Sequence, residues 1–148
     1  MSGPTTANPS PKATLRNLVA GRRILWLDAH PENNEREMGF LGSERGRDVF
    51  LTARSLAEAK GHLTAAQGNI DLVISHWGEN EPDKDGEKSV ALGLLRWIHE
   101  KDVRAPVIVY AWATTAKGRR SEALKAGAFA IVGEPARLFR EIERLFGV

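Results

Sequence analysis

Side chains able to exchange protons or bind metals follow three apolar segments of the chain. Asp28 and His30 come directly after "RILWL", His76 follows "DLVIS", and Glu134 follows "FAIVG". Imidazoles titrate near neutral pH, and imidazoles and carboxylates together bind zinc-type metals. These four residues are therefore the candidates for a reactive site, provided that the fold brings them together.

The composition and the missing motifs exclude several other kinds of site. The chain has no cysteine, which excludes disulfides, thiolate zinc sites, iron–sulfur clusters and cysteine nucleophiles. No G-x-G-x-x-G or Walker motif follows the first apolar segment, and no G-x-S-x-G motif occurs. Nucleotide sites of those kinds and a serine-hydrolase site are not expected.

Charge and hydropathy predict a soluble, cytoplasmic chain with one domain. The length of 148 residues fits a single globular domain. Four cations and no acid lie among residues 1–23, so the net charge of +2 leaves the rest mildly acidic, which argues against nucleic-acid binding. No apolar stretch approaches the roughly 20 residues that span a bilayer, and the first residues do not form a signal peptide.

The amino-terminal residues differ in composition from the rest of the chain. Pro, Ser, Thr and Asn dominate "MSGPTTANPSPKAT", and "LRNLVAG" could form a short helix. We predict a disordered or partly helical tail over residues 1–21 and one domain over residues 22–148. The basic tail could be solvated or could contact an acidic partner.

The elements that would position the candidate side chains alternate along the chain. Five short apolar runs predict strands: "RRILWLD", "DVFLTA", "IDLVIS", "PVIVYA" and "FAIV". Helical periodicity lies between them, with Ser55 and Glu58 at capping-box spacing, Gly127 suited to end one helix and Pro135 to begin the last. This alternation predicts a parallel sheet covered by helices on both faces.

In such a sheet, ligands bind at the carboxyl ends of the strands. The residues predicted at those ends are Asp28, Ala29 and His30 after the first strand, His76 and Trp77 after the third, Ala111 and Trp112 after the fourth, and Glu134 and Pro135 after the fifth.

Residues 22–148 resemble the receiver domain of two-component response regulators. "RILWLDAHPENN" is similar to the family's first strand and acidic pair, and "DLVISHWG" to its phosphoacceptor strand. "PVIVYAW" is similar to the segment that ends in Thr or Ser, and "GAFAIVGEP" to the Gly-Ala to Lys-Pro segment. The resemblance implies a flavodoxin-like α/β fold, a three-layer αβα sandwich with a five-stranded parallel sheet of order 2-1-3-4-5. It also implies that the protein is bacterial and takes part in two-component signal transduction or a phosphorelay.

The resemblance implies that most of the family's functional side chains are missing. Receivers bind Mg²⁺ through the acidic pair and the phosphoacceptor Asp, and use the Lys and the Thr or Ser to neutralise and read the phosphate. The matching positions hold Asp28, Ala29, His76, Glu134 and Ala111. We therefore expect a degenerate phosphoacceptor pocket with no metal, no cofactor and no enzymatic activity. The expected function is that of a pseudo-receiver that acts through phosphorylation-independent protein–protein interaction.

The expected partner is an unknown signalling protein. Binding to a nucleic acid or to a membrane is not expected. The resemblance implies that the fourth helix of the βα repeat, the fifth strand and the fifth helix form the partner or homodimer surface. Trp77 and Trp112 either cover the emptied pocket or form an exposed aromatic patch that binds a partner. The basic cluster Lys117–Arg120 is either a solvated face or a docking site.

Several interpretations of the polar residues stay open. His76 could be a structural plug, or could pair with Glu134, which would raise the pKa of His76. The main alternative function is a small metal-dependent or phosphotransfer enzyme that uses His76, Asp28, His30 and Glu134. A third is a conventional receiver phosphorylated elsewhere.

An acidic segment lies between the third strand and the next helix. "GENEPDKDGEK" carries five acids and two lysines. A solvated loop is favoured over calcium binding by Asp83, Asp85 and Glu87, because their spacing does not match an EF-hand.

Overall fold

Five parallel strands form the central sheet. The computed structural model describes residues 11–42, 49–78 and 89–147. The strands are Ile24–Leu27 (β1), Phe50–Ala53 (β2), Leu72–Ser75 (β3), Val107–Tyr110 (β4) and Ala130–Val132 (β5). All neighbouring strands are parallel and their order is β2-β1-β3-β4-β5. The predicted flavodoxin-like sheet is confirmed.

One helix precedes β1, and further helices follow each strand. They are Pro11–Val19 (α1), Glu35–Leu41 (α2), Leu56–Ala66 (α3), Val90–Glu100 (α4), Ala113–Gly118 (α5), Arg120–Lys125 (α6) and Pro135–Phe146 (α7), with a 3-10 turn at Pro31–Asn34. The predicted single fourth helix is divided at Arg119 into α5 and α6. No helix of the described ranges is long and apolar enough to cross a membrane.

The predicted helix ends are present. The Ser55 hydroxyl accepts a hydrogen bond from the Glu58 N–H at 3.1 Å, and the Glu58 carboxylate accepts one from the Arg54 N–H at 2.6 Å. Gly127 follows α6 with φ +104°, a conformation that glycine adopts without steric cost. Pro135 is the first residue of α7.

Alternate residues of the strands point into two buried clusters, one on each face of the sheet. Leu25, Val73 and Val109 pack in one cluster against residues of α3, α4, α5 and α6. Ile24 and Ile74 pack in the other, against α1, α2 and α7. The structure is therefore the predicted three-layer sandwich.

The amino-terminal helix α1 packs on the second cluster. Leu15 and Val19 are buried there. The Arg16 guanidinium donates to the carbonyls of Gly39 at 2.8 Å and Phe40 at 3.1 Å, in the last turn of α2. Residues 1–10 lie outside the described residues, and the division of the chain at residues 21 and 22 stays a prediction.

Candidate functional site

The carboxyl ends of the strands meet at one edge of the sheet, as the parallel pairing requires. The His76 N–H donates to the Leu27 carbonyl at 2.9 Å, and the Asp28 N–H donates to the Ala53 carbonyl at 2.9 Å. At the end of β4, the Ala111 N–H donates to the Val132 carbonyl at 3.0 Å. The predicted strand-end residues therefore lie at this edge, and their side chains decide what the site can do.

Asp28 is held by hydrogen bonds from its own loop. Its Oδ1 accepts from the His30 N–H at 2.8 Å, and its Oδ2 accepts from the Asn34 amide at 3.0 Å. Asn34 is buried. The sequence-based predictions missed Asn34, although an amide in "PENN", directly after the strand end, was the available signal. Both oxygens of Asp28 are thus used within the protein.

His76 lies beside Asp28. Its Nδ1 is 3.9 Å from Asp28 Oδ1, and its side chain is 19% exposed. Burial lowers the pKa of His76 below its ordinary value; the Asp28 charge opposes this and the His30 charge adds to it. A neutral imidazole next to a carboxylate is therefore the resting state of the site near pH 7.

Glu134 and the His30 ring take other partners. The Glu134 side chain is 60% exposed, and its Oε2 lies 3.9 Å from Arg137 Nε, one turn further along α7. The exposed His30 ring lies 3.6 Å from Glu32. The hypothesis of a His76–Glu134 ion pair is wrong, since the acidic group facing His76 is Asp28 and the pKa of His76 is lowered rather than raised.

The donor set does not fit Mg²⁺. That ion requires oxygen ligands in near-octahedral geometry. Asp28 offers carboxylate oxygens, but Ala29 has no ligand atom in its side chain and His76 presents nitrogen. Over residues 11–42, 49–78 and 89–147, no group of three His, Cys, Asp or Glu side chains could hold a metal ion.

The two strand-end tryptophans have opposite environments. Trp77 is 5% exposed and packs in the cluster with Ala91, Ala116 and Ala123. Trp112 is 84% exposed and precedes α5 as its N-cap residue. The hypothesis of an exposed patch made by both tryptophans is therefore wrong for Trp77 and leaves only Trp112.

The backbone carbonyls of Trp77 and Gly78 accept hydrogen bonds from the start of α4. The Trp77 carbonyl accepts from the Ser89 hydroxyl at 2.6 Å and from the Ala91 N–H at 3.1 Å. The Gly78 carbonyl accepts from the Val90 N–H at 3.1 Å. The first amides of α4 are therefore satisfied internally. Asp83, Asp85 and Glu87 of the acidic segment lie outside the described residues.

Gly133 allows a close approach between the end of β5 and the start of α5. A Cβ atom at this position would lie 2.4 Å from the Ala113 Cα. Only glycine fits without a shift of the backbone. The half-buried Ala111, which packs against the first cluster, completes this side of the site.

Comparison with known proteins shows the fold. No protein-family model and no curated protein matches the chain. A response regulator receiver domain protein from Clostridium thermocellum is similar with a TM-score of 0.63 and 23% identity, over 85% of this chain and 94% of that one. A chain of the CheX–CheY–BeF3–Mg complex from Borrelia burgdorferi has a TM-score of 0.62 and 21% identity, over 84% and 89%.

A plant structure is equally similar. The receiver domain of the histidine kinase CKI1 from Arabidopsis thaliana, complexed with Mg²⁺ and BeF3⁻, has a TM-score of 0.60 and 18% identity, over 91% of this chain and 96% of that one. At these identities the likeness shows the fold alone. The chain has the CheY-like fold of receiver domains.

Proposed function

We propose that this chain is a pseudo-receiver, a signalling domain of the receiver fold that acts by binding another protein without aspartyl phosphorylation. The observation that carries the proposal is the His76 imidazole at the end of β3, 3.9 Å from the Asp28 carboxylate, at the position where the resemblance places the phosphoacceptor Asp. The resemblance of "DLVISHWG" to the family's phosphoacceptor strand supports the same conclusion.

The charges around His76 also argue against a phosphohistidine. A nucleophilic imidazole needs an orienting partner, and a bound phosphoryl group needs cationic or hydroxyl neighbours. The charged groups that act on the pKa of His76 are Asp28, a carboxylate, and His30. Ala111 offers no hydroxyl. A phosphoryl group at His76 would be repelled rather than stabilised.

The enzyme alternative has little geometric support. Of its four residues, the structure brings only the side chains of Asp28 and His76 together, while His30 pairs with Glu32 and Glu134 with Arg137. The described residues therefore favour a binding domain over a metal-dependent or phosphotransfer enzyme.

The test is incubation of the full chain with acetyl phosphate and Mg²⁺, followed by intact mass spectrometry at neutral pH. We expect no phosphorylated species, whereas a conventional receiver treated in parallel gains one phosphoryl group. A phosphorylated species that disappears in H76A would overturn the proposal in favour of a phosphohistidine. One that persists in H76A would show a conventional receiver phosphorylated elsewhere.

A further inference from the structure

We infer that α1 is a strap that sets the conformation of the strand-end site, which consists of Asp28, His30, Asn34 and His76. Docked α1 caps the last turn of α2, and the other end of α2 holds the Asp28 carboxylate. When α1 leaves the second cluster, the loop between β1 and α2 loosens. The inference goes beyond the proposed function, because it holds for any partner or reaction that the site serves.

Two buried side chains anchor the described part of α1 on the second cluster. Leu15 is 4% exposed and Val19 is 1% exposed, whereas Asn17, between them, is exposed. Because α1 lies outside the sheet, its departure breaks no strand pairing. Elements at the end of a domain with few buried side chains open at a lower free energy than central strands. The helix can therefore undock while the sheet stays folded.

Arg16 supplies a cap for the carboxyl end of α2. The last four carbonyls of a helix have no partner within the helix. In α2, the Met38 carbonyl accepts from the Gly42 N–H at 2.8 Å. The Arg16 guanidinium donates to the carbonyls of Gly39 at 2.8 Å and Phe40 at 3.1 Å. A cation here also meets the negative end of the helix dipole. Without α1, the last turn of α2 loses two charged donor contacts.

The length of α2 makes it sensitive to that loss. It has seven residues, and isolated helices shorter than roughly 12–15 residues are marginal in water. The buried Leu41 and the stacking of Phe40 on Phe139 of α7, with ring centroids 4.3 Å apart, keep α2 attached when α1 leaves. The expected change is therefore fraying of α2 and not its detachment from the domain.

The amino end of α2 leads directly to the strand-end site. Asn34 is the N-cap residue of α2, and its buried amide donates to Asp28 Oδ2 at 3.0 Å. Asp28 Oδ1 accepts from the His30 N–H at 2.8 Å and lies 3.9 Å from His76 Nδ1. Direct contacts thus run from Arg16 through α2 to Asp28 and His76. Contiguous contacts of this kind carry energetic coupling between distant groups.

The first experiment is amide hydrogen exchange of the full chain, measured by mass spectrometry for the wild type and R16Q. We expect residues 29–41 to exchange at least about fivefold faster in R16Q, which is the lower end of typical couplings. Residues 113–125, which follow another strand end, should exchange at the wild-type rate. The matched control R140Q, at an exposed arginine of α7, should change neither segment.

The ring signals of the four histidines give a second measurement, at the site itself. His30 and His76 belong to the strand-end site, whereas His62 and His99 lie in α3 and α4. In NMR spectra of R16Q, the signals of the first two rings should shift or broaden. Those of the other two should keep their wild-type positions.

Coupling must act in both directions, because linkage is reciprocal. N34A should therefore speed exchange in residues 15–20 more than in residues 113–125. If R16Q does not fold, R16K takes its place, since it keeps the charge and loses the planar fork that reaches both carbonyls. The expected changes in R16K are the same in direction.

Three results would overturn the inference. They are faster exchange confined to α1, a uniform rise along the whole chain, and unchanged ring signals of His30 and His76 in R16Q. Each would leave α1 as a helix that only stabilises the fold. None of these measurements involves phosphorylation, so the acetyl phosphate experiment tests the proposed function separately.

Discussion

Three neighbouring residues set the environment of the Asp28 carboxylate. Two neutral donors, the His30 N–H and the Asn34 amide, occupy its oxygens, and the neutral His76 ring lies beside it. Hydrogen bonds to a charged acceptor are stronger than those between neutral groups. The two hydrogen bonds that Asp28 accepts hold the loop between β1 and α2 in place.

The buried Asn34 amide should contribute to stability through Asp28. N34A removes a hydrogen bond to a charged group and is expected to lower the free energy of unfolding by about 2 kcal/mol. N34D places a second carboxylate against Asp28, so its cost should exceed that of N34A at pH 7 and decrease towards pH 4 as the carboxyls protonate. Urea denaturation at both pH values measures these differences. Equal costs for the two variants at pH 7 would contradict the contact.

The lowered pKa of His76 predicts loss of stability in acid. Because the folded protein binds a proton at His76 less readily than the unfolded chain, the unfolded state takes up the proton first. The free energy of unfolding should fall as the pH drops from the ordinary histidine value of 6.5 to the lower folded pKa.

The substitution H76N removes this titration, so its unfolding free energy should depend less on pH between 7.5 and 5. Urea denaturation across this interval is the measurement, and H99N is the matched substitution at an exposed histidine. A pH dependence that is the same in H76N and in the wild type would show that another group is responsible.

At the scale of elements, the sheet could be predicted because each strand is a short apolar run between polar residues. The division of the fourth helix could not, since Arg119 with φ −110° and ψ 9° ends α5 and begins α6, and no residue type encodes this break. Trp77 and Trp112 both follow strand ends, yet one is buried and the other exposed. Glu134 pairs with Arg137 rather than with His76. This could not be predicted, because the partner of a long side chain depends on side-chain packing, which sequence spacing does not show.

Gly133 and Gly61 should respond in opposite directions to alanine. G133A places a methyl group 2.4 Å from the Ala113 Cα and should destabilise by about 1–3 kcal/mol through overpacking. Gly61 lies within α3 with nothing within 4 Å of the added atom, so G61A should stabilise by up to about 1 kcal/mol. Thermal unfolding compares them, and a neutral G133A would disprove the close approach.

For the whole molecule, α1 closes the cluster that α2 and α7 cover. L15A should lower the free energy of unfolding by about 2–3 kcal/mol, because Leu15 is buried among residues of this cluster. L18A, at a half-buried position of the same helix, is the control and should cost less. Both are measured by urea denaturation. A loss below about 0.5 kcal/mol for L15A would place the helix outside the cooperative unit.

The contrast between Trp112 and the buried tryptophans makes the protein its own optical reporter. Trp26 and Trp77 are shielded, whereas the Trp112 indole is open to water. Trp97 is half-buried. Dissolved iodide should therefore quench the emission of Trp112 most strongly, and most of the quenching should vanish in W112F. A molecule that binds over Trp112 would protect the indole from the quencher and shift its emission to shorter wavelength. Contact of another molecule with Trp112 can thus be followed by intrinsic fluorescence, without an attached dye.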